Sequence, residues 1–213
     1  PNAPFDMDCW AWYPNGTRIL CGFGGDTPGI FSIRASDGGD PVRLTTNPTG
    51  GIDIATDVSP DGARFVFLRF KPGASPDPRP FWTQQVALYV ANIDGTHLQQ
   101  LTPFGLAAPH EVASAHWSPD SRKIISELSN GMLFVVRPDG SGLTPILLQV
   151  GTGDYFAFAP DWSPDGTRVI FCMFISGQED LYSANLDGSD VVRITSTEQF
   201  ENAPDWGTRG ILP

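Results

Sequence analysis

The chain has 213 residues, with 13 Lys and Arg against 24 Asp and Glu, which gives a formal net charge of −11. An acidic chain lacks the basic surface that neutralises a phosphate backbone, so the composition argues against nucleic-acid binding. Gly and Pro number 23 and 20, yet 40% of the residues are hydrophobic and 11% aromatic. Frequent turn residues, together with enough apolar side chains for a core, predict many short strands joined by turns.

No segment approaches the roughly 18 consecutive apolar residues of a membrane-spanning helix. The sequence begins with Pro1 and lacks the basic and apolar regions of a signal peptide. We therefore expect a protein that does not span a membrane, in a chain that is a processed or truncated product of a longer polypeptide.

A recurring phrase divides the chain into units. Each copy contains a turn of the type Ser-Pro-Asp-Gly, in which Pro presets φ, Asp bonds to the nearby backbone and Gly accepts a positive φ. The phrase predicts a tight hairpin between the first two strands of every unit. The four turns are Tyr13-Pro14-Asn15-Gly16, Ser59-Pro60-Asp61-Gly62, Ser118-Pro119-Asp120-Ser121 and Ser163-Pro164-Asp165-Gly166, and Ala203-Pro204-Asp205-Trp206 begins a fifth copy.

The residue before each turn recurs at intervals of 44–46 residues, except for one interval of 59 residues. The excess lies between Phe70 and Val86, in a proline-rich segment that cannot form a regular ladder, so we predict an inserted loop there. The residues at the recurring position are Trp12, Val58, Trp117, Trp162 and Trp206.

The remaining strands of each unit follow in a fixed order. Apolar second strands are predicted at 18–23, 64–70, 123–128 and 168–174. Third strands that end at Asp-Gly turns are predicted at 29–34, 87–93, 132–137 and 180–186. Short fourth strands follow, and most of them end in Leu-Thr or Ile-Thr, at Leu44-Thr45, Leu101-Thr102 and Ile194-Thr195.

A unit of four antiparallel strands cannot bury both sheet faces alone, but units stacked around an axis can. The repeat therefore predicts an all-β fold, a β-propeller of four-stranded blades, with the repeated Trp side chains packed between neighbouring blades. The predicted blades are residues 8–47, 52–104, 111–150 and 156–197, followed by a closing strand at 201–207.

The phrase resembles the repeat of the TolB-like β-propeller family, which carries Trp-Ser-Pro-Asp-Gly, an Ile/Leu-Tyr third strand, Asp-Gly and Leu-Thr. The resemblance runs from Asp8 to Trp206. It implies a bacterial protein in the periplasm or secreted, and typically a six-bladed ring that binds protein partners. Related propellers occur as domains of serine peptidases and in some polysaccharide lyases.

Four blades and one further strand do not make a six-bladed ring. We therefore expect the C-terminal part of a larger propeller, with one or two blades upstream. A closed four-bladed ring with a spare strand is the alternative.

Three cysteines form an odd set with no Cys-x-x-Cys motif and no His at metal-ligand spacing, which argues against zinc. The first predicted hairpin places Cys9 opposite Cys21, so a cross-strand disulfide is one alternative. We expect a hydrogen-bonded pair there, where the Cα atoms stand further apart, and buried free thiols are the favoured interpretation of Cys9, Cys21 and Cys172.

No catalytic motif is found, and the protein is predicted not to be an enzyme. The nucleophile pattern Gly-x-Ser-x-Gly does not occur. The histidines, His97, His110 and His116, are dispersed along the chain and are interpreted as solvated or structural.

Acidic residues stand five or six positions before the recurring residue, and slightly further away in the fourth unit. Because first strands line the channel of a propeller, these carboxylates are predicted to converge on one channel mouth. They could bind a cation such as Ca²⁺ or a basic segment of a partner, and a solvated acidic rim is the alternative. No other cofactor is indicated. The residues are Asp6, Asp53, Glu111, Asp154 and Glu201.

Phe81 and Trp82, in the inserted loop, are candidate contacts for a protein or sugar, or else they fold back on the second blade. The sequence thus favours a non-catalytic module that binds a protein or peptide. The alternatives are the propeller domain of a serine peptidase or polysaccharide lyase whose catalytic part lies outside this chain, and a carbohydrate-binding, lectin-like propeller.

Overall fold

The computed structural model describes residues 7–23, 29–48, 50–71, 85–106, 114–151, 154–201 and 203–207. These residues form four antiparallel sheets of four strands, each in sequential order, and contain no helix. The described part of the chain thus offers no helix able to cross a bilayer. The prediction of an all-β protein with four-stranded blades is confirmed.

Each sheet is one blade, and its strands follow one another from the inside outwards. Blade 1 contains β1 (Met7–Trp12), β2 (Arg18–Phe23), β3 (Gly29–Arg34) and β4 (Val42–Arg43). Blade 2 contains β5 (Asp53–Val58), β6 (Arg64–Lys71), β7 (Gln85–Asn92) and β8 (Gln99–Gln100). Blade 3 contains β9 (Ala115–Trp117), β10 (Ile124–Glu127), β11 (Leu133–Val136) and β12 (Thr144–Ile146). Blade 4 contains β13 (Tyr155–Trp162), β14 (Arg168–Ile175), β15 (Gln178–Asn185) and β16 (Val192–Arg193).

The Ser-Pro-Asp-Gly phrase forms the hairpin turn between the first and second strands. In blade 4 the Ser163 hydroxyl donates to Asp165 Oδ1 at 2.7 Å and accepts the Arg168 N–H at 2.9 Å. Gly166 has a φ of 70° and donates its N–H to the Ser163 carbonyl. The same contacts recur at Ser59 and Ser118, so the repeated phrase is explained by turn geometry alone.

The Thr that ends most fourth strands ties this strand to the third. Its hydroxyl accepts a third-strand N–H at 2.9–3.0 Å, which extends the ladder beyond the short fourth strand. The pairs are Ile30 with Thr45, Leu88 with Thr102 and Leu181 with Thr195.

The apolar core lies between the blades. Alternate side chains of a strand point to opposite faces, so one strand contributes to two interfaces. On β6, Phe65 and Phe67 pack in the cluster shared with blade 1, whereas Leu68 and Phe70 pack in the cluster shared with blade 3. A third cluster joins blades 3 and 4. Strands β6 and β10 are therefore buried on both faces, as their continuous apolar sequence predicts, whereas β14 leaves Phe174 42% exposed.

The repeated Trp packs against the preceding blade. Trp117 and Trp162 are both 4% exposed, and Trp162 Nε1 donates to the His116 carbonyl of blade 3 at 3.0 Å. Trp12 is 60% exposed, because no blade precedes blade 1 within the described residues. Trp12 thus does not pack between two blades in the described part of the chain, contrary to the prediction, and membership of a larger ring stays a prediction.

Cys9 and Cys21 form a disulfide across β1 and β2. The favoured interpretation of free thiols is wrong for this pair, and it holds for Cys172, which is free and buried. The Cα atoms of the pair are 4.0 Å apart, close to the roughly 4.5 Å of a pair that does not exchange backbone hydrogen bonds. The structure pairs Cys9 with Cys21, as the predicted hairpin does, but the expectation of a hydrogen-bonded pair with more widely spaced Cα atoms is wrong.

Candidate site in the axial cavity

A cavity of about 560 Å³, here called the axial cavity, lies between the first strands of the four blades. Trp10 of β1, Asp57 of β5, His116 of β9 and Asp161 of β13 line it, together with Asp205. The segment 203–207 thus closes the wall next to blade 4, with the Trp206 N–H bonded to Asp161.

Bulges in the first strands direct side chains into the axial cavity. The register of β1 against β2 shifts between Cys9 and Ala11, and that of β5 against β6 shifts between Ala55 and Asp57. The extra residues at these shifts, Trp10 and Thr56, both line the cavity. A bulge turns side chains in a new direction without breaking the sheet. These strands can therefore direct consecutive residues, and not only every second residue, towards the axis.

The carboxylates of Asp57 and Asp161 connect neighbouring units. Asp57 Oδ1 accepts the Val58 N–H at 2.7 Å, and its Oδ2 accepts the Trp117 N–H of blade 3 at 2.8 Å. Asp161 repeats this arrangement, with the Trp162 N–H on Oδ1 at 2.7 Å and the Trp206 N–H on Oδ2 at 3.2 Å. The two side chains are therefore held in place from both sides.

His116 occupies the corresponding place in blade 3, between these two carboxylates. Its Nδ1 lies 3.9 Å from Asp57 Oδ2 and 3.9 Å from Asp161 Oδ1. Burial raises the pKa of Asp57 to about 6, although nearby His116 and the Trp117 and Val58 N–H groups oppose this shift. The Asp57 carboxyl therefore changes its charge near pH 6.

A second polar group adjoins the cavity wall at Ser114. Glu127 is 1% exposed, and its Oε1 accepts the Ser114 N–H at 3.3 Å. Glu127 Oε2 and Ser114 Oγ are buried, and neither has a hydrogen-bond partner among the described residues. Burial raises the pKa of Glu127 to about 8, so its carboxyl is largely protonated at neutral pH.

The structure describes three of the five predicted channel-mouth acids, Asp53, Asp154 and Glu201, and it buries Asp53. Asp53 is 2% exposed, and its two oxygens bind Arg69 Nε and Nη2 at 2.8 and 2.7 Å. Thr45 Oγ1 also donates to Asp53, at 2.8 Å. An acid neutralised in this way cannot serve an open channel mouth, so the prediction is wrong at this position.

The other predicted site residues lie outside the axial cavity or outside the described ranges. Asp154 is exposed just before β13, and Glu201 Oε1 accepts the Thr197 hydroxyl at 3.0 Å. No group of three His, Cys, Asp or Glu in the described ranges could hold a metal ion, and Ca²⁺ binding stays a prediction. The residues outside the described ranges are Asp6, Phe81, Trp82, His110 and Glu111.

When the repeat units are aligned on the recurring residue, a second position also marks the observed site. The position directly before the recurring residue carries an acid or a histidine in four of five copies: Asp57, His116, Asp161 and Asp205, with Ala11 in the first. The sequence analysis placed the acids at the entry of the first strands, five or six residues earlier. His116 was interpreted singly as structural or solvated, although it shares this position with three acids.

Comparisons with known proteins identify the fold. No protein-family model matches the chain, and no curated protein matches it. The putative TolB from Agrobacterium tumefaciens matches with a TM-score of 0.65 and 21% identity, over 92% of this chain and 64% of that one. The chain has the fold of a TolB-like β-propeller.

Two further solved structures share the fold. TolB from Acinetobacter baumannii matches with a TM-score of 0.67 and 17% identity, over 92% of this chain and 45% of that chain. An oligogalacturonate lyase in complex with manganese matches with a TM-score of 0.57 and 11% identity, over 93% of this chain and 70% of that one. The chain spans less than two thirds of either TolB structure, and the same fold occurs in an enzyme.

Proposed function

We propose that this TolB-like propeller is a non-catalytic module that binds a segment of a protein partner in the axial cavity. The observation that carries the proposal is the combination of a concave site on the axis with Trp10, which lines it and is 58% exposed. Concave sites with a few convergent polar groups are the usual binding sites of proteins, and exposed Trp is a frequent anchor of protein interfaces.

We further propose an extracytoplasmic location, in the periplasm or after secretion. The Cys9–Cys21 disulfide supports it, because disulfides persist in oxidising compartments and are rare in the cytosol. The remaining thiol, Cys172, is fully buried, and burial raises its pKa to about 12. A thiol of this kind exchanges poorly with a disulfide, so one stable pair is compatible with such a compartment.

Two tryptophans give a matched test of the binding proposal. Trp10 and Trp12 are almost equally exposed and only two residues apart, but only Trp10 lines the axial cavity. A partner is captured from an extract of the source organism, identified, purified and titrated calorimetrically against three proteins: the wild-type chain, Trp10→Ala and Trp12→Ala.

Loss of a buried aromatic anchor costs about 2 kcal/mol or more, so we expect at least roughly tenfold weaker binding for Trp10→Ala. Trp12→Ala should bind within about twofold of the wild type. Equal affinities for Trp10→Ala and the wild-type chain would refute the proposal that the axial cavity binds the partner.

The enzymatic alternative is tested on the same preparation. Oligogalacturonate is incubated with the purified chain in the presence and absence of manganese, and the ultraviolet absorbance of an unsaturated product is followed. A non-catalytic module gives no product above the rate without protein. Turnover that is lost with His116→Gln would instead support a lyase that uses the axial cavity.

A further inference from the structure

We infer that the axial cavity receives the cationic side chain of an arginine or lysine carried by the partner. This inference rests on the proposed function and specifies which chemical group the site recognises.

The polar lining of the axial cavity offers acceptors and few donors. Asp57 and Asp161 each use one backbone N–H per carboxylate oxygen, and a carboxylate oxygen can accept two hydrogen bonds. Each oxygen therefore keeps a place for a further donor. Asp205 adds a third carboxylate, and among the described lining residues only the His116 ring and the Trp10 indole carry a side-chain N–H.

Two buried polar atoms without partners adjoin the cavity wall. Ser114 lines the cavity, and Glu127, which accepts the Ser114 N–H, is 1% exposed. Ser114 Oγ and Glu127 Oε2 have no hydrogen-bond partner within the described part of the chain. Buried polar atoms are nearly always paired in native proteins, by protein, water or ligand, and the Ser114 hydroxyl can accept an N–H from a ligand that reaches it.

The apolar part of the wall suits the stem of a long basic side chain. Ile54, Leu68 and Phe70 line the cavity on the side of blade 2. Lys and Arg bury their methylene stems on apolar surface while the charged head reaches polar groups. Trp10, on the neighbouring strand β1, presents an aromatic ring, and a guanidinium or ammonium group is attracted to such a ring.

The charge of the site selects a cation over an anion. Three acids line it, and none of the Lys or Arg residues in the described ranges does. A cleft lined by charge of one sign concentrates ligands of the opposite sign. A metal ion fits less well, because no three donors are grouped to hold one among the residues that the structure describes.

The test uses small probes that differ in charge but not in shape. Nα-acetylarginine amide and the neutral, nearly isosteric Nα-acetylcitrulline amide are titrated into the chain at low salt, and binding is followed by calorimetry. We expect the arginine probe to bind at least about tenfold more tightly, because hydrogen bonds to an ionised donor are stronger than neutral ones. Nα-acetyllysine amide should behave like the arginine probe.

Three amide substitutions locate the bound cation. Asp205→Asn and Asp161→Asn are each expected to weaken the arginine probe by roughly tenfold, since each removes one opposing charge. Asp161→Asn keeps an acceptor for backbone N–H groups, and Asp205 has no assigned role in the fold, so the variants should stay folded. Asp154→Asn, an equal change of charge at an exposed site outside the cavity, should change the affinity less than twofold.

The outcomes separate this inference from the proposed function. Equal binding of the arginine and citrulline probes, or equal weakening by Asp154→Asn and Asp205→Asn, would overturn the cation site. A partner that depends on Trp10 but keeps its affinity in Asp205→Asn and Asp161→Asn would also overturn it, while leaving the protein-binding module intact. Charge-selective binding of the probe that Asp205→Asn abolishes supports the site even before a partner is known.

Discussion

Asp57 Oδ2 accepts the backbone N–H of Trp117 at 2.8 Å, across the boundary between blades 2 and 3. The other oxygen of the same carboxylate accepts the Val58 N–H of its own blade. One side chain therefore joins two sheets that share no ladder of backbone hydrogen bonds. Asp161 does the same between blade 4 and the segment 203–207.

Replacement of Asp57 tests this contact. Asp57→Ala leaves two backbone N–H groups without their acceptor, and we expect the free energy of unfolding to fall by about 1–3 kcal/mol. Asp57→Asn keeps one carbonyl acceptor and should lose less. Urea denaturation measures both, with Asp154→Ala, at an exposed site, as the control. A stability of Asp57→Ala within error of the control would contradict the bridging role.

Glu127 should make stability fall as the pH rises. Its folded-state pKa of about 8 lies above its ordinary value of 4.5, because burial disfavours the ionised form. The folded state then holds a proton that the unfolded state releases between these two pH values. The contribution of this group is fully present below about pH 4.5 and is lost as the pH passes through 8.

Glu127→Gln removes this titration. We expect the variant to lose less stability than the wild type between pH 5 and pH 9, by on the order of 2–4 kcal/mol, as followed by urea unfolding at several pH values. Asp57, whose pKa is also raised by burial, contributes a change of the same sign and is present in both proteins. Parallel pH profiles for the variant and the wild type would show that Glu127 ionises normally in the folded state.

Removal of one partner from the buried pair of Asp53 and Arg69 should lower the free energy of unfolding more than the same change in an exposed pair. Removal of one partner leaves a buried charge without compensation, so we expect Arg69→Met to cost about 3–5 kcal/mol. Asp53→Asn combined with Arg69→Met should recover part of that loss, because Asn keeps an acceptor for the Thr45 hydroxyl.

An exposed ion pair gives the control for this experiment. Arg34 Nη1 lies 2.8 Å from Asp37 Oδ2, and about half of each side chain is exposed. Pairs of this type contribute little, and Arg34→Met should change the free energy of unfolding by less than about 1 kcal/mol. Thermal or urea unfolding measures the stability of the wild type, Arg69→Met, the Asp53→Asn and Arg69→Met double variant, and Arg34→Met. Similar losses for Arg34→Met and Arg69→Met would contradict the prediction.

Counting the free thiols tests the Cys9–Cys21 disulfide. Unfolding without reductant should expose one titratable thiol per chain, Cys172, and unfolding with reductant should expose three. Cys9→Ser combined with Cys21→Ser should lower the free energy of unfolding by about 2–3 kcal/mol, because the bond restricts the unfolded chain. Three thiols before reduction would show that the pair does not form in the protein.

Much of the fold was predictable because its signals are local. The strands predicted at 18–23 and 29–34 have these bounds in the structure, and the predicted hairpin turns form. Pro, Asp and Gly set backbone angles and short-range hydrogen bonds within four residues, so a single copy of the phrase suffices to specify the turn. The order of the strands in each blade follows from four such hairpin units in series.

The candidate site was not predictable to the same degree. Asp53 was assigned to a channel mouth, but Arg69, sixteen residues later, folds back on it and buries it. The disulfide was the less favoured alternative, because Cys9 and Cys21 were expected to form a hydrogen-bonded pair, whereas their Cα atoms are only 4.0 Å apart. Asp57, His116 and Asp161 share a repeat position, and only the stacking of three blades brings His116 Nδ1 to 3.9 Å from one carboxylate oxygen of each acid.

The sequence by itself determined the repeat, its turns, the strand order and hence the propeller, since each depends on contacts within one unit of the chain. The tertiary structure decided which side chains meet on the axis, which carboxylates are buried and which cysteines pair. Those outcomes depend on bulges and on the distance between blades. Both are set by the packing of apolar faces from units that lie far apart in the chain.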